Sequence, residues 1–252
     1  MMPIGDESHG RGGLPIVNLL IIAANLAVFF LLQLPSDAFT MGFSAIPKEI
    51  LTGTDLVGPV AVQLPDGTSE TLQQAPGPSP IWLTLFTSMF MHGGFAHIGG
   101  NMLFLFVFGD NVERAFGPLV YAVFYLVCGV IASIAHVMFS PDSVIPSLGA
   151  SGAISGVLAG YLVLFPKNRV KVLVGSRSVQ EVPALVMIGM WALFQFVAGF
   201  ASITESAQTS GVAYMAHVGG FVAGLVLAFL LRGSADRGTP ATAAPTLGRS
   251  GF

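Results

Sequence analysis

The sequence predicts an all-α membrane protein, a bundle of six transmembrane helices with a long extracytoplasmic first loop that carries interfacial helices. Three observations predict it. Of 252 residues, 53% are hydrophobic and only 9% charged, where a soluble domain is about one quarter charged. Six apolar runs come close to the roughly 20 residues that cross a hydrocarbon core. The lysines and arginines then fall almost entirely on one side of the resulting topology.

In chain order, residues 1–13 form a short N-terminus and residues 14–232 the membrane domain. Span one, Leu14 to Leu34, is too long for the apolar region of a cleavable signal and has no small-x-small cleavage site, so it reads as a permanent anchor. Residues 35–92 make the first loop. Within it, VAVQLPDGTSETL alternates around the turn pair Asp66 and Gly67 and suggests a small hairpin. SPIWLTLFTSMFMHGG places Trp82, Leu85, Phe86, Met89 and Phe90 at helical spacing with Thr84, Thr87 and Ser88 between them, an amphipathic interfacial helix. Gly93 and Gly94 hand the chain to span two, which extends on both sides of Gly99 to Phe108. Span three runs from Leu119 to Phe139, span four from Leu148 to Phe165, span five from Val182 to Phe200 and span six from Val212 to Leu231. The tail, 233–252, is rich in Gly, Ala, Thr and Pro and reads as disordered.

Six spans put Arg11, Arg114, Lys167, Arg169, Lys171, Arg177, Arg232, Arg237 and Arg249 on one side and Lys48 alone on the other. Both termini are therefore expected in the cytoplasm. The net charge of -3 carries no signal for nucleic acid, because the basic residues serve topology. The single cysteine, Cys128, excludes an intrachain disulfide. No paired, interrupted segments of the transporter kind occur.

The chemistry lies in small and polar residues within the spans. Gly152, Gly156 and Gly160 repeat every four residues in span four, beside Ser151, Ser155 and Ala159; span six carries His217, Gly220 and Gly224 on one face. Such strips allow close helix crossing, here of the Ser151, Ser155 and Ala159 strip against the His217, Gly220 and Gly224 strip, with Ser151 beside His217. Both would sit about 10 Å or less below the outer surface at about 1.5 Å per residue. A hydroxyl beside an imidazole is the arrangement for nucleophilic catalysis, since the ring takes the proton that limits the oxygen as an attacker. Alone, Ser151 fits packing better than catalysis, bonding the carbonyl one turn back; an ionisable histidine inside a span is harder to explain without function. MHGGFAHIGGNMLF brings His92, His97 and Asn101 in from the same side, with His97 and Asn101 one helical turn apart. They suit donors to a developing oxyanion, or hydrogen bonds between helices.

GASG around Ser151, AHVGGFVAG around His217 and HGGFAHIGGN before the core together resemble the rhomboid family of intramembrane serine proteases, over roughly residues 80–232. The resemblance implies a rhomboid-like six-helix bundle and a serine endopeptidase that cuts transmembrane protein substrates within the lipid bilayer, without metal or cofactor. Ser151 would be the nucleophile and His217 the general base. His97 and Asn101 would line the oxyanion hole beside the Ser151 amide, with His92 in a structural role. Gly149, Gly152, Gly220 and Gly224 would support the site, and Glu113 and Arg114, in GDNVERAFG, would make structural polar contacts. Span five and the loop ASITESAQTSG would act as lateral gate and cap. Some members stack an aromatic residue on the histidine, four residues after the nucleophile; here that position is Ser155.

The expected location is a bacterial plasma membrane, with the site open to the extracytoplasmic side. Among rivals, a zinc protease lacks its HExxH spacing, and an aspartyl intramembrane protease lacks a second buried aspartate beyond Asp110. A transporter would place its polar groups nearer the midplane. A non-catalytic rhomboid-like protein that binds transmembrane clients is the remaining alternative; such proteins typically lack the serine or the histidine.

Overall fold

The computed structural model describes residues 2–7, 13–63, 68–175, 178–204, 213–233 and 235, with only the backbone of 63 and 200–204. The turn pair Asp66 and Gly67, most of the tail and residues 205–212 of the expected cap lie outside them. The chain is mainly helical. Helix α1 (Ile16–Val28) continues through a π turn, Phe29–Gln33; α2 is Asp37–Phe43 and α3 Pro47–Thr52. Short α4 (Thr84–Thr87) is flanked by 3-10 turns, Ile81–Leu83 and Ser88–Phe90. Helix α5 (Phe95–Phe104) passes through a π turn, Leu105–Gly109, into α6 (Asp110–Phe116). Then follow α7 (Pro118–Phe139), α8 (Ser151–Leu164), α9 (Ala184–Thr204) and α10 (Tyr214–Leu231).

Three helical segments among the described residues, Ile16–Gln33, Pro118–Phe139 and Tyr214–Leu231, are long and apolar enough to cross a membrane. Ile81–Phe90 with Phe95–Phe116 makes a fourth if the pair, bent by 77°, counts as one span; Ser151–Leu164 and Ala184–Gly199 are shorter apolar helices. The protein is thus an integral membrane protein with several apolar helices.

The expectation of an all-α chain needs correction. Strands β1 (Met2–Asp6), β4 (Arg169–Val174) and β5 (Ser178–Pro183) form an antiparallel sheet in the order β1-β4-β5. Val170 and Val172 of β4 are fully buried, so the sheet closes one end of the bundle. The expected hairpin of the first loop is present as β2 (Gly58–Gln63) and β3 (Ser69–Gln74).

The same end of the bundle holds a polar network. Glu113 accepts from the backbone N–H groups of Val17 and Asn18 at 3.1 and 2.7 Å, satisfying two of the donors that a helix N-terminus leaves open. Asn18 donates to the Leu105 carbonyl at 3.0 Å, in the π turn, and accepts from the Tyr121 hydroxyl at 2.7 Å. Gly109 has no Cβ because one would stand 2.6 Å from that hydroxyl. Asp6 accepts from Asn111 at 2.6 Å and from Tyr161 at 2.5 Å, tying β1 to α6 and α8. Arg114 pairs with Asp110 at 3.1 Å.

Helix α8 is the centre of the bundle: all its residues but Ser151, Leu162 and Val163 are buried. Its glycines make that possible. A Cβ on Gly220 would overlap the Gly152 carbonyl, and one on Gly224 would overlap the Gly156 backbone, so α8 and α10 meet backbone to backbone. On α8 the contact is made by Gly152 and Gly156, not by the expected strip of Ser151, Ser155 and Ala159. The Ser155 hydroxyl instead turns back to the Ser151 carbonyl at 2.6 Å. On the α7 side, a Cβ on Gly152 would come 2.6 Å from Ala132 Cβ, and one on Gly156 2.5 Å from Cys128 Cβ.

The expected interfacial helix is also modified. Thr84, Leu85, Ser88 and Met89 are buried while Trp82 and Phe86 are exposed, so the buried face keeps helical spacing but takes in hydroxyls beside Leu85 and Met89, and two of the expected apolar residues point outward. The hydroxyls are satisfied inside: Thr84 donates to Ile81 O and Thr87 to Phe43 O, each at 2.7 Å.

Candidate active site

The chain reaches Ser151 through a loop fixed from the first-loop side. Ser147 and Ala45 exchange backbone hydrogen bonds of 2.8 and 2.9 Å, and the Gly149 N–H donates to Ser88 O at 2.9 Å. With 14 residues, α8 is about 21 Å long, short of the about 30 Å hydrocarbon core.

Ser151 opens α8 and His217 stands in the first turn of α10, which begins at Tyr214. The backbone contact at Gly152, Gly156, Gly220 and Gly224 sets the spacing of the two helices. Ser151 Oγ lies 2.7 Å from His217 Nε2. The other ring nitrogen, Nδ1, lies 2.8 Å from Gln195 Oε1 on α9, and the Trp191 ring, one turn before Gln195, is 6.0 Å from the imidazole between centroids.

His97 approaches from α5. Gly149 has φ +140°, a conformation that glycine adopts without strain, and a Cβ there would stand 3.0 and 3.1 Å from His97 Cε1 and Nε2 and 3.3 Å from Ser151 Oγ. The bare α-carbon thus lets the His97 ring come up to the serine loop. His97 Nδ1 accepts from the Gly93 N–H at 3.2 Å, which leaves Nε2 to carry the proton on the side toward Gly149. Asn101 sits one turn further along α5, and its side-chain NH₂ is buried with no hydrogen-bond partner in the protein. His92 packs its ring against His97 at 5.1 Å, edge to face. Gln33 clamps the His92 backbone, accepting from its N–H at 2.8 Å and donating to its carbonyl at 3.2 Å.

No side chain caps the N-terminus of α8, so the positive end of the helix dipole opens at Ser151. Beside it is a cavity of about 30 Å³, room for a water molecule, lined among others by Ser88, Ser133, Ser147, Gly149 and Ser151. Among the described residues no cluster of His, Cys, Asp and Glu could hold a metal ion. Glu113, Arg114 and their partners lie at the other end of the bundle, as described above. Gln195 was not singled out from the sequence. The available signal was its isolation, a lone amide inside WALFQFVAG.

The model of the Rhomboid domain matches residues 80–234. The chain belongs to the rhomboid family. Among rhomboid relatives it is 30% identical over 223 residues to rhomboid protease GluP of Bacillus subtilis, covering 88% of this chain and 36% of the relative. It is 28% identical over 238 residues to RHOMBOID-like protein 4 of Arabidopsis thaliana, covering 89% of this chain and 56% of the relative. It is 27% identical over 213 residues to inactive RHOMBOID-like protein 8 of the same plant, covering 78% of this chain and 56% of the relative. The chain thus spans about a third to somewhat over half of the length of these curated relatives. Rhomboid membership alone does not decide between a protease and an inactive relative; the side chains of the site bear on that choice.

Proposed function

We propose that this protein is an intramembrane serine endopeptidase that hydrolyses peptide bonds in or near transmembrane segments of other membrane proteins. The observation that carries the reading is the 2.7 Å approach of Ser151 Oγ to His217 Nε2. The serine proton passes to Nε2 as Oγ attacks the scissile carbonyl carbon, and the same proton then goes to the leaving amine. Water repeats the sequence on the acyl-enzyme, regenerating the serine and releasing the new carboxylate. The oxyanion meets the Ser151 N–H, the Asn101 amide and the His97 Nε2–H. An amide buried without a protein partner is what a donor reserved for a transient anion looks like.

In this reading six segments cross the bilayer, the two short apolar helices α8 and α9 included, and the termini face the cytoplasm. The site opens toward the extracytoplasmic side of a bacterial plasma membrane. A substrate helix hides its carbonyls in its own hydrogen bonds, so it must unwind locally to reach Ser151, and small or helix-breaking residues near the cut favour cleavage. Supporting the catalytic reading over the client-binding alternative, both members of the dyad are present and in contact.

The experiment is to incubate the detergent-purified chain with a labelled transmembrane substrate. Cleavage is expected from the wild type and from neither Ser151→Ala nor His217→Ala, with thermal unfolding of both variants unchanged. Cleavage that survives in Ser151→Ala overturns the mechanism.

A further inference from the structure

A two-residue dyad leaves a physical question open. An imidazole on a single Cβ can rotate and can carry its proton on either nitrogen, and only a ring with Nε2 bare and facing Ser151 can take the serine proton. Something must select that state. The Ser155 hydroxyl is engaged with the Ser151 carbonyl at 2.6 Å, and the Trp191 ring is tilted by 42° at 6.0 Å, which fixes no tautomer. Gln195 is the group in the right place: its Oε1 lies 2.8 Å from Nδ1, while Nε2 lies 2.7 Å from Ser151 Oγ.

Resting on the hydrolytic reading above, we propose that Gln195 is the positioning residue of the dyad, accepting the Nδ1–H of His217 so that Nε2 is held bare toward the Ser151 hydroxyl. The side chain is 7% exposed on a helix that is otherwise almost wholly apolar. A buried amide costs free energy unless it is hydrogen-bonded, and here the bond goes to the base. An amide carries no charge, so it orients the ring without holding a carboxylate at membrane depth, where an ionised group is expensive. Because Gln195 belongs to α9 while Ser151 and His217 belong to α8 and α10, the base is oriented only when α9 is seated against α10. A displaced α9 leaves the serine and histidine adjacent but the tautomer unselected.

The test uses the full chain in detergent. A fluorophosphonate probe that labels the activated serine reports on the dyad without any need to dock a substrate helix. Gln195→Met is close to isosteric and removes the acceptor; Gln195→Glu keeps a side-chain oxygen that accepts from Nδ1–H whether or not the carboxyl is ionised. Labelling of Ser151 in Gln195→Met is expected to slow by on the order of 10²-fold, the contribution typical of a general base. In turnover of a transmembrane substrate, kcat falls accordingly with KM within about twofold. Gln195→Glu is expected to restore most of the rate. Spectra of ¹⁵N-histidine-labelled protein should show the His217 proton on Nδ1 in wild type and Gln195→Glu, and exchange between both nitrogens in Gln195→Met.

Wild-type labelling rates in Gln195→Met would overturn the proposal while leaving the Ser-His reading intact, as would a Gln195→Glu variant as slow as Gln195→Met. Should wild type itself fail to label, the hydrolytic reading fails and the proposal fails with it.

Discussion

Near the C-terminal end of α8, Tyr161 donates to Asp6 at 2.5 Å and accepts from Asn168 at 3.0 Å, while close by Glu113, Val17, Asn18 and Tyr121 are linked by bonds of 2.7 to 3.1 Å. Near its N-terminal end the pattern changes. The Asn101 NH₂ and both ring nitrogens of His92 are buried without a partner in the protein, and Ser151 faces a water-sized cavity. Both ends are rich in buried polar groups and both leave some unpaired, Arg114 Nε at the first and the Asn101 NH₂ at the second, but only the second also brings a hydroxyl against an imidazole. Neither polar burial nor an unpaired donor by itself identifies a site; the Ser151–His217 contact is what sets this end apart. Glu113 and Arg114 would look as suggestive as His97 and Asn101 in a list of polar residues; what separates them is that Glu113 holds the backbone of α1 while His97 comes up to the loop before Ser151.

Substitutions at the two ends should have opposite effects on turnover and on stability. The largest effect on turnover is expected at the N-terminal end of α8. Asn101→Ala should lower substrate cleavage by about 10²-fold, or less where the His97 and Ser151 donors compensate, while thermal unfolding stays unchanged because no protein partner is orphaned. A loss of stability with normal turnover per folded molecule would place Asn101 with the structural group.

At the other end Glu113→Ala should do the reverse. Two backbone N–H groups of α1 lose a carboxylate acceptor, worth about 3 kcal/mol together. The thermal midpoint should fall, and the surviving folded fraction should cleave at the wild-type rate.

The smallest effect concerns Glu49 in α3, whose backbone neighbour Lys48 donates to Ser143 O at 3.1 Å in the loop before Ser151. Burial pushes the Glu49 carboxyl up to about 7; the Leu56 N–H, at 2.8 Å, opposes the rise, and nearby Asp55 adds to it. A folded-state value raised above the ordinary 4.5 means that its contribution to stability is fully present below about 4.5 and is lost as pH rises through 7. Wild-type thermal stability should therefore decline over that window. Glu49→Gln keeps the acceptor for Leu56 and should flatten the decline.

What the sequence discloses and what it hides have physical reasons. Apolar runs were legible because lipid imposes length and composition on each span separately, with no reference to its neighbours. The nearness of Ser151 and His217 was legible because small-residue strips mark the faces where helices approach, even though Gly152 and Gly156, one residue on from the expected strip, make the backbone contact. The β1-β4-β5 sheet was not, because MPIGD contains both proline and glycine and pairs with residues more than 160 positions away. The face of α4 is turned from the expected one because its hydroxyls find acceptors inside the protein, Thr87 on the Phe43 carbonyl 44 residues away, a pairing that no local pattern encodes. Gln195 was invisible as an orienter because its meaning depends on how α9 turns against α10, which no local pattern encodes.

The central claim is that packing against α10 makes the Ser151 hydroxyl a nucleophile. Labelling the purified protein with a fluorophosphonate and mapping the adduct by mass spectrometry tests it most directly. A stoichiometric adduct on Ser151 that disappears in His217→Ala is expected. An adduct absent from Ser151, or undiminished without His217, would contradict it.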